Sequence, residues 1–270
     1  MINNILLKVM FKVLDLLRND DDKTSLFLYN LLHKEHNTQD LVIFLFNSDL
    51  PISFKQKMQI LKNIYRVTFH VSCPHNNHEM LSYISTILSI PPGVKGCVVE
   101  AGSFKGGSGA KFSIACKMVE RKLVLFDSFE GIPDNIEPHK FTIDGRDYTN
   151  KFVEGSFCGT YDEVISNITK YGEISACEFV KGWFDETMPY FEEPICAIYM
   201  DVDLASSTKT CLKYLYPLLV SGGVLYSQDG HLPLVIAVFK DEEFWKNEVG
   251  FPKPHIEGLG KQKLIKIIKP

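Results

Sequence analysis

The stretch from Cys97 to Gly109, CVVEAGSFKGGSG, decides the fold. Its apolar run Val98-Val99 ends at Glu100 and breaks at once into Gly102, Gly106, Gly107 and Gly109. Beyond the glycines, Phe112, Ala115, Cys116 and Val119 recur at i, i+3, i+4, i+7, the spacing of one helix face. Strand, glycine-rich loop and helix make the first unit of a doubly wound α/β sheet, with a ligand cradled at the helix N-terminus. Glycine suits such a loop because backbone must approach the ligand closely and φ can be positive.

Spacing narrows the ligand. A dinucleotide fingerprint would need a glycine where Phe104 stands, and a P-loop would need a lysine where Ser108 follows Gly107. What remains, E-x-G-x-x-x-G-G, suits a ligand with an amino-acid end, such as S-adenosylmethionine, although glycine-rich turns also serve as plain connectors. Lys122 to Phe126 reads as the second strand and ends in Asp127. A carboxylate there binds a ribose diol in dinucleotide folds, about 20 residues past the glycines. The plainer role for Asp127 is a helix cap; the two features together favour a nucleoside cofactor.

The 270 residues, 45% of them hydrophobic, suffice for one large α/β core with appended elements. A net charge of −4 points away from a nucleic-acid surface. Seven cysteines, scattered, mostly inside apolar runs and without a C-x-x-C pair, read as reduced thiols of a cytoplasmic protein. The N-terminus is not expected to be a signal peptide, and no run approaches the ~18 apolar residues of a membrane span.

Residues 2–18 place Ile2, Ile5, Leu6, Val9, Val13, Leu16 and Leu17 at helical spacing. This predicts a helix packed on the body or on a second subunit, with an in-plane membrane helix as the sharper alternative. Segments 25–35, 38–47 and 54–66 also look helical, although Leu41 to Phe46 could form a strand. Residues 1–90 therefore read as a helical extension or cap, and 91–270 as the catalytic domain. His70, Cys73, His75 and His78 crowd one stretch, but zinc would need a second ligand pair; lining a loop at the site mouth or capping the next helix fits better. The polar run from Ser128 to Gly155 reads as a lid or a surface loop. A helix at 160–171 precedes a strand from Cys177 to Val180, after which Trp183 could stack on an adenine or simply join the core. Ile195 to Met200 is apolar throughout, like a central parallel strand, and ends in Asp201-Val202-Asp203, whose two carboxylates can point the same way. A helix at 207–219 and a strand at 224–227 lead to a second polar strand end, Gln228-Asp229-Gly230-His231. A helix at 233–248 and a strand at 263–268, part of an antiparallel hairpin, close the chain.

Several of these stretches together resemble the macrocin-type sugar O-methyltransferases: VVEAGSFKGGSG (98–109), LFDSFEGIPD (125–134), VKGWFDETMP (180–189), DVDLASSTKTCLKYLYPLL (201–219) and SGGVLYSQDG (221–230). The resemblance runs through residues 75–235. It implies a class I methyltransferase fold, a Rossmann-like sheet of seven strands in the order 3-2-1-4-5-7-6 with the last antiparallel. It also implies S-adenosylmethionine as cofactor, with Glu100, Ala101, Gly102, Ser103, Phe104, Gly107 and Ser108 at the methionine end. Asp127, Ser128 and Phe129 would serve the ribose, Gly182 and Trp183 the adenine, with Asp201 closing the set. Asp201, Gln228 and Asp229 would hold Mg²⁺, and Asp203 would be the general base, with His231 as the other candidate. Gln228 departs from the family, which usually has two adjacent aspartates there; an amide oxygen still ligates Mg²⁺, with less charge. The expected partner is a small hydroxylated acceptor, a sugar or glycosylated natural product, with no nucleic acid or membrane, in a homo-oligomer. The alternatives are a metal-independent enzyme using His231, a nicotinamide oxidoreductase, or a degenerate binding module.

Overall fold

The computed structural model describes residues 38–143 and 146–270. The helices expected at 2–18 and 25–35 lie outside the described residues. Strand β1 (Cys97–Ala101) is buried along its whole length, and its side chains alternate between two cores. Val98 faces one core, while Val99 and Ala101 face the other, as a pleated strand covered on both sides requires. Parallel to β1 run β2 (Leu123–Asp127) on one side and β6 (Ile195–Met200) on the other. The sheet extends through β5 (Cys177–Lys181) at one edge and through β7 (Leu219–Ser227) to β8 (Ile265–Ile268) at the other.

This is the expected class I methyltransferase order, with one correction: six strands, not seven, form the main sheet among the described residues. β8 is antiparallel to β7, as the hairpin reading expects, but its outer partner is reduced to one bridge between Glu257 and Lys266. Ahead of that bridge the chain is helical, α8 (Pro233–Lys240) and α9 (Glu242–Phe244) with a π turn over Trp245–Val249, where the sequence predicts one helix over 233–248. Asp241 divides them, because its carboxylate accepts the Phe244 amide as an N-cap.

Helices α1 (Thr38–Phe46), α2 (Phe54–His70), α3 (Asn77–Ser89), α4 (Gly107–Met118) and α5 (Tyr161–Tyr171) contribute to the core that holds Val98 and Leu125. The 38–47 segment is thus a helix and not a strand. Capping boxes start two of these helices, Ser53 with Gln56 and Asn76 with Glu79. On the opposite face lie α7 (Ala205–Leu215), α8 and Trp245. α7 ends four residues before the expected 219 because Pro217 cannot continue it, and Leu219 already belongs to β7. Gly222 and Gly223 lie inside β7, where the register against β6 jumps in a bulge. No helix of the described residues is long and apolar enough to cross a membrane.

The polar run after β2 is not a plain loop. His139–Ile143 (β3) and Arg146–Asn150 (β4) pair as an antiparallel hairpin, and Phe141 and Phe152 turn toward the site.

Candidate active site

A cavity of about 700 Å³ lies at the carboxyl ends of β1, β2, β6 and β7, where open α/β sheets bind ligands. Its wall begins with the glycine loop. Gly102 takes φ +88°, and a Cβ there would stand 2.0 Å from the carbonyl oxygen of Asp201. That glycine therefore answers to contact between two strand ends, and not only to a ligand. Ser103, Phe104, Gly107 and Ser108 continue the wall, Phe104 in a left-handed conformation (φ 47°) that non-glycine residues seldom adopt.

Asp127 lies in this wall with both oxygens engaged. Oδ2 accepts the Ser103 amide at 2.6 Å and Oδ1 the Phe129 amide at 2.7 Å. Burial raises its pKa while these amides pull it down. The carboxylate thus ties the glycine loop to the end of β2, and its remaining lone pairs face the cavity together with Ser128. Trp183 lines the cavity at the start of α6 (Phe184–Thr187).

Four expected cofactor residues stand behind the wall: Glu100, Ala101, Phe129 and Gly182 do not line the cavity. Glu100 is fully buried beneath α4, where a Cβ on Gly109 would stand 2.7 Å from its Oε2. Neither of its oxygens has a hydrogen bond of normal geometry. Burial pushes its pKa up to about 8 against a smaller pull from Ser108, so the group is largely protonated at neutral pH. Strand alternation explains the placement, since residue 100 shares a face with Val98 and not with the strand end.

The opposite wall is acidic. Ligand oxygens of Asp201, Asp203 and Asp229 lie within 4.8 Å of one another. Asp229 is buried, and its Oδ2 accepts the amides of Val202 at 3.0 Å and Asp203 at 3.1 Å, which shapes the 201–203 turn. Asp203 sits at φ 58°, a strained position of the kind that gathers at functional sites. Burial and then the neighbouring Asp201 raise the Asp203 pKa to about 7; the same causes raise Asp229 well above the usual carboxylate range. Three carboxyl groups this close, one buried and two half-buried, repel one another, and a hard divalent cation suits such an oxygen set. Gln228, expected beside Asp201 and Asp229, is also fully buried, but its amide donates to the Tyr199 hydroxyl at 2.7 Å and its Oε1 has no partner. It is not part of the cavity wall. His231 is in the wall and exposed; burial of its ring and the charge of Lys263 lower its pKa, which favours the neutral imidazole.

The four residues of the 70–78 stretch diverge. His70 stacks on Tyr171, with ring centroids 4.7 Å apart, and His78 reaches Asp40 at 3.0 Å. Cys73 and His75 turn into the cavity, where His75 Nε2 lies 2.8 Å from Asp201 Oδ2. Burial alone would lower the His75 pKa, but Asp201 and Cys73 raise it to about 10, so the ring is an imidazolium at neutral pH.

Sequence reasoning missed the aromatic side of the cavity, formed by Phe141, Phe152 and Phe157, and the lysine at its far rim, Lys263. A signal for the hairpin was present: Asp144-Gly145, between HKFTI and RDYTN, is a strong two-residue turn dipeptide. No local pattern marks Lys263, which enters from the bend just before β8.

Residues 79–254 match the family model described as Macrocin-O-methyltransferase (TylF). The chain is 30% identical over 146 residues to demethyldecarbamoylnovobiocin O-methyltransferase of Streptomyces niveus. That match spans 50% of this chain and 53% of the relative, so about half of each. Among solved structures, the O-methyltransferase NovP is similar with a TM-score of 0.51 at 19% identity, covering 81% of both chains. The calicheamicin methyltransferase CalS11 is similar with a TM-score of 0.54 at 20% identity, over 87% of this chain and 92% of that one. At such identities the likeness concerns the fold.

Proposed function

The chain belongs to the macrocin-O-methyltransferase family, and on that premise we propose that it transfers a methyl group from S-adenosylmethionine to a hydroxyl of a sugar or glycosylated natural product. The observation that carries this reading is a shared cavity: the glycine loop with Asp127 and Trp183 faces the carboxyl cluster of Asp201, Asp203 and Asp229. One side offers groups for an amino acid, a ribose and an adenine; the other offers groups that handle a proton.

Methyl transfer is an in-line displacement, so holding the acceptor oxygen against the methyl supplies much of the rate. The cofactor brings the methyl on a sulfonium. Backbone of the loop from Gly102 to Ser108 receives its methionine end, Asp127 its ribose hydroxyls, and Trp183 the adenine face. A sugar hydroxyl is a poor nucleophile until its proton is removed. Asp203, whose carboxyl burial and then Asp201 push up, would take that proton. Mg²⁺, which Asp201, Asp203 and Asp229 would hold, would lower the hydroxyl pKa. Phe141 of the hairpin and Phe152 just after it line the same cavity. A second reading rests on His231, an exposed and neutral imidazole in the same wall, as the base of a metal-independent reaction.

Calorimetric titration tests the reading. S-adenosylmethionine or S-adenosylhomocysteine should bind, and NAD should not; NAD binding without S-adenosylmethionine binding would sink it. Turnover with a hydroxylated acceptor separates an enzyme from a binding module on the same fold.

A further inference from the structure

Cys73 stands between α2 and α3 and lines the same cavity as Gly102 and Gly107. Its sulfur is 3.3 Å from Nδ1 of His75 and 3.3 Å from Nζ of Lys111 on α4. Lys111 is only 1% exposed, and an ammonium so far from water needs an anion beside it. On the other side of the imidazole, Asp201 lies 2.8 Å from Nε2 and fixes the ring. Sulfur, imidazole and carboxylate in that order are the parts of an activated nucleophile. The proposed methyl transfer has no use for a thiolate.

The titratable and charged groups around the sulfur are His75, Lys111, Glu100 and Asp201. Burial alone would raise the Cys73 thiol, but the hydrogen bond from His75 and the charge of Lys111 outweigh it and lower the pKa to about 7. Five other cysteines behave oppositely: burial pushes Cys97, Cys116, Cys177, Cys196 and Cys211 up.

We propose that Cys73 is a modification site, a thiolate nucleophile that a small hydroperoxide entering the cavity converts to a sulfenic acid. The thiolate attacks one peroxide oxygen, and the S–O bond forms as the O–O bond breaks. The departing hydroxide takes a proton from solvent and leaves as water. Sulfur is oxidised by two electrons and the peroxide reduced by two.

The test exposes the full-length protein to equimolar hydrogen peroxide with dimedone as trap, near neutral pH, and quantifies adducts on each of the seven cysteines by peptide mass spectrometry. An ordinary thiol is only a few per cent thiolate at pH 7, so Cys73 should label about tenfold faster than the others. Lys111→Met, which leaves the His75 contact in place, should slow that labelling by a smaller factor, about threefold. Labelling of Cys73 no faster than that of Cys158 or Cys177, the other part-exposed cysteines, overturns the proposal. A buried lysine can be structural, so Cys73→Ser provides a second arm: it should keep the thermal melt and lose the fast adduct. A fast adduct that persists in Cys73→Ser also overturns the proposal. The inference does not rest on the cofactor reading. Prior S-adenosylhomocysteine should slow the labelling; fast labelling without protection upholds the thiolate and counts against that reading.

Discussion

Glu137 and Ala205, 68 positions apart, are joined where the segment before the hairpin meets the first turn of α7. Glu137 Oε2 accepts the Ala205 amide at 2.6 Å, and Oε1 accepts the Ser206 amide at 3.0 Å. Helix α7 has no cap of its own, since Leu204 occupies that position. A distant carboxylate does the capping, and so ties the aromatic wall to the turn that carries Asp201 and Asp203. Glu137→Ala should therefore cost about 0.5–2 kcal/mol, the loss of a helix cap, read as a lower melting temperature. Glu137→Gln, which still accepts, should lose less. Equal melts for wild type and Glu137→Ala would show that the cap carries no stability.

Asp127→Ala removes the acceptor of two backbone amides and, on the proposed reading, the ribose partner. Calorimetry should show S-adenosylhomocysteine binding weakened by about 1–3 kcal/mol, the cost of leaving such groups unpaired. Thermal stability should fall in the same variant, because the Ser103 and Phe129 amides lose their partner with or without ligand. Unchanged affinity would mean that the ribose is held elsewhere.

The acidic wall predicts a pH signature. Asp203 titrates near 7 in the fold but near the usual carboxyl value of about 4 in the unfolded chain, so the folded protein binds that proton more tightly. Stability from this group is present at low pH and declines as pH rises from about 4 to 7. The difference in melting temperature between wild type and Asp203→Asn should shift in that window, with the wild type losing ground as pH rises. If the wall holds a divalent cation, Mg²⁺ should raise the wild-type melt above pH 7 and have little effect at pH 4. A melt indifferent to Mg²⁺ at both ends would argue against metal at the cluster.

On the proposed reading, metal dependence of turnover is the sharpest test: Gln228 bonds Tyr199 behind the wall, so Asp201, Asp203 and Asp229 alone would hold the cation. EDTA should abolish activity and Mg²⁺ or Mn²⁺ restore it. Activity that survives EDTA but disappears in His231→Ala would instead assign the base to His231.

Much of this molecule is legible in one dimension, because its signals are local. Val98-Val99, the glycines after Ala101 and the helical spacing beyond them define a strand, a turn and a helix without reference to anything else. Asp127, Asp201 and Asp229 stand where apolar strands stop, so their position at one edge of the sheet follows from strand alternation and parallel order. Burial face and partner are another matter. Glu100 is one residue short of the strand end, and that single step of the pleat puts it beneath α4 instead of in the cavity. Asp203 joins Asp201 and Asp229 because the Asp229 carboxylate gathers the amides of the 201–203 turn, a contact across 26 residues. His75 meets Asp201 across 126 residues, and the outer partner of β8 is a single bridge at Glu257 that no local pattern marks. Periodicity says which side of an element is apolar; only the packing of elements far apart in the chain says what that side touches.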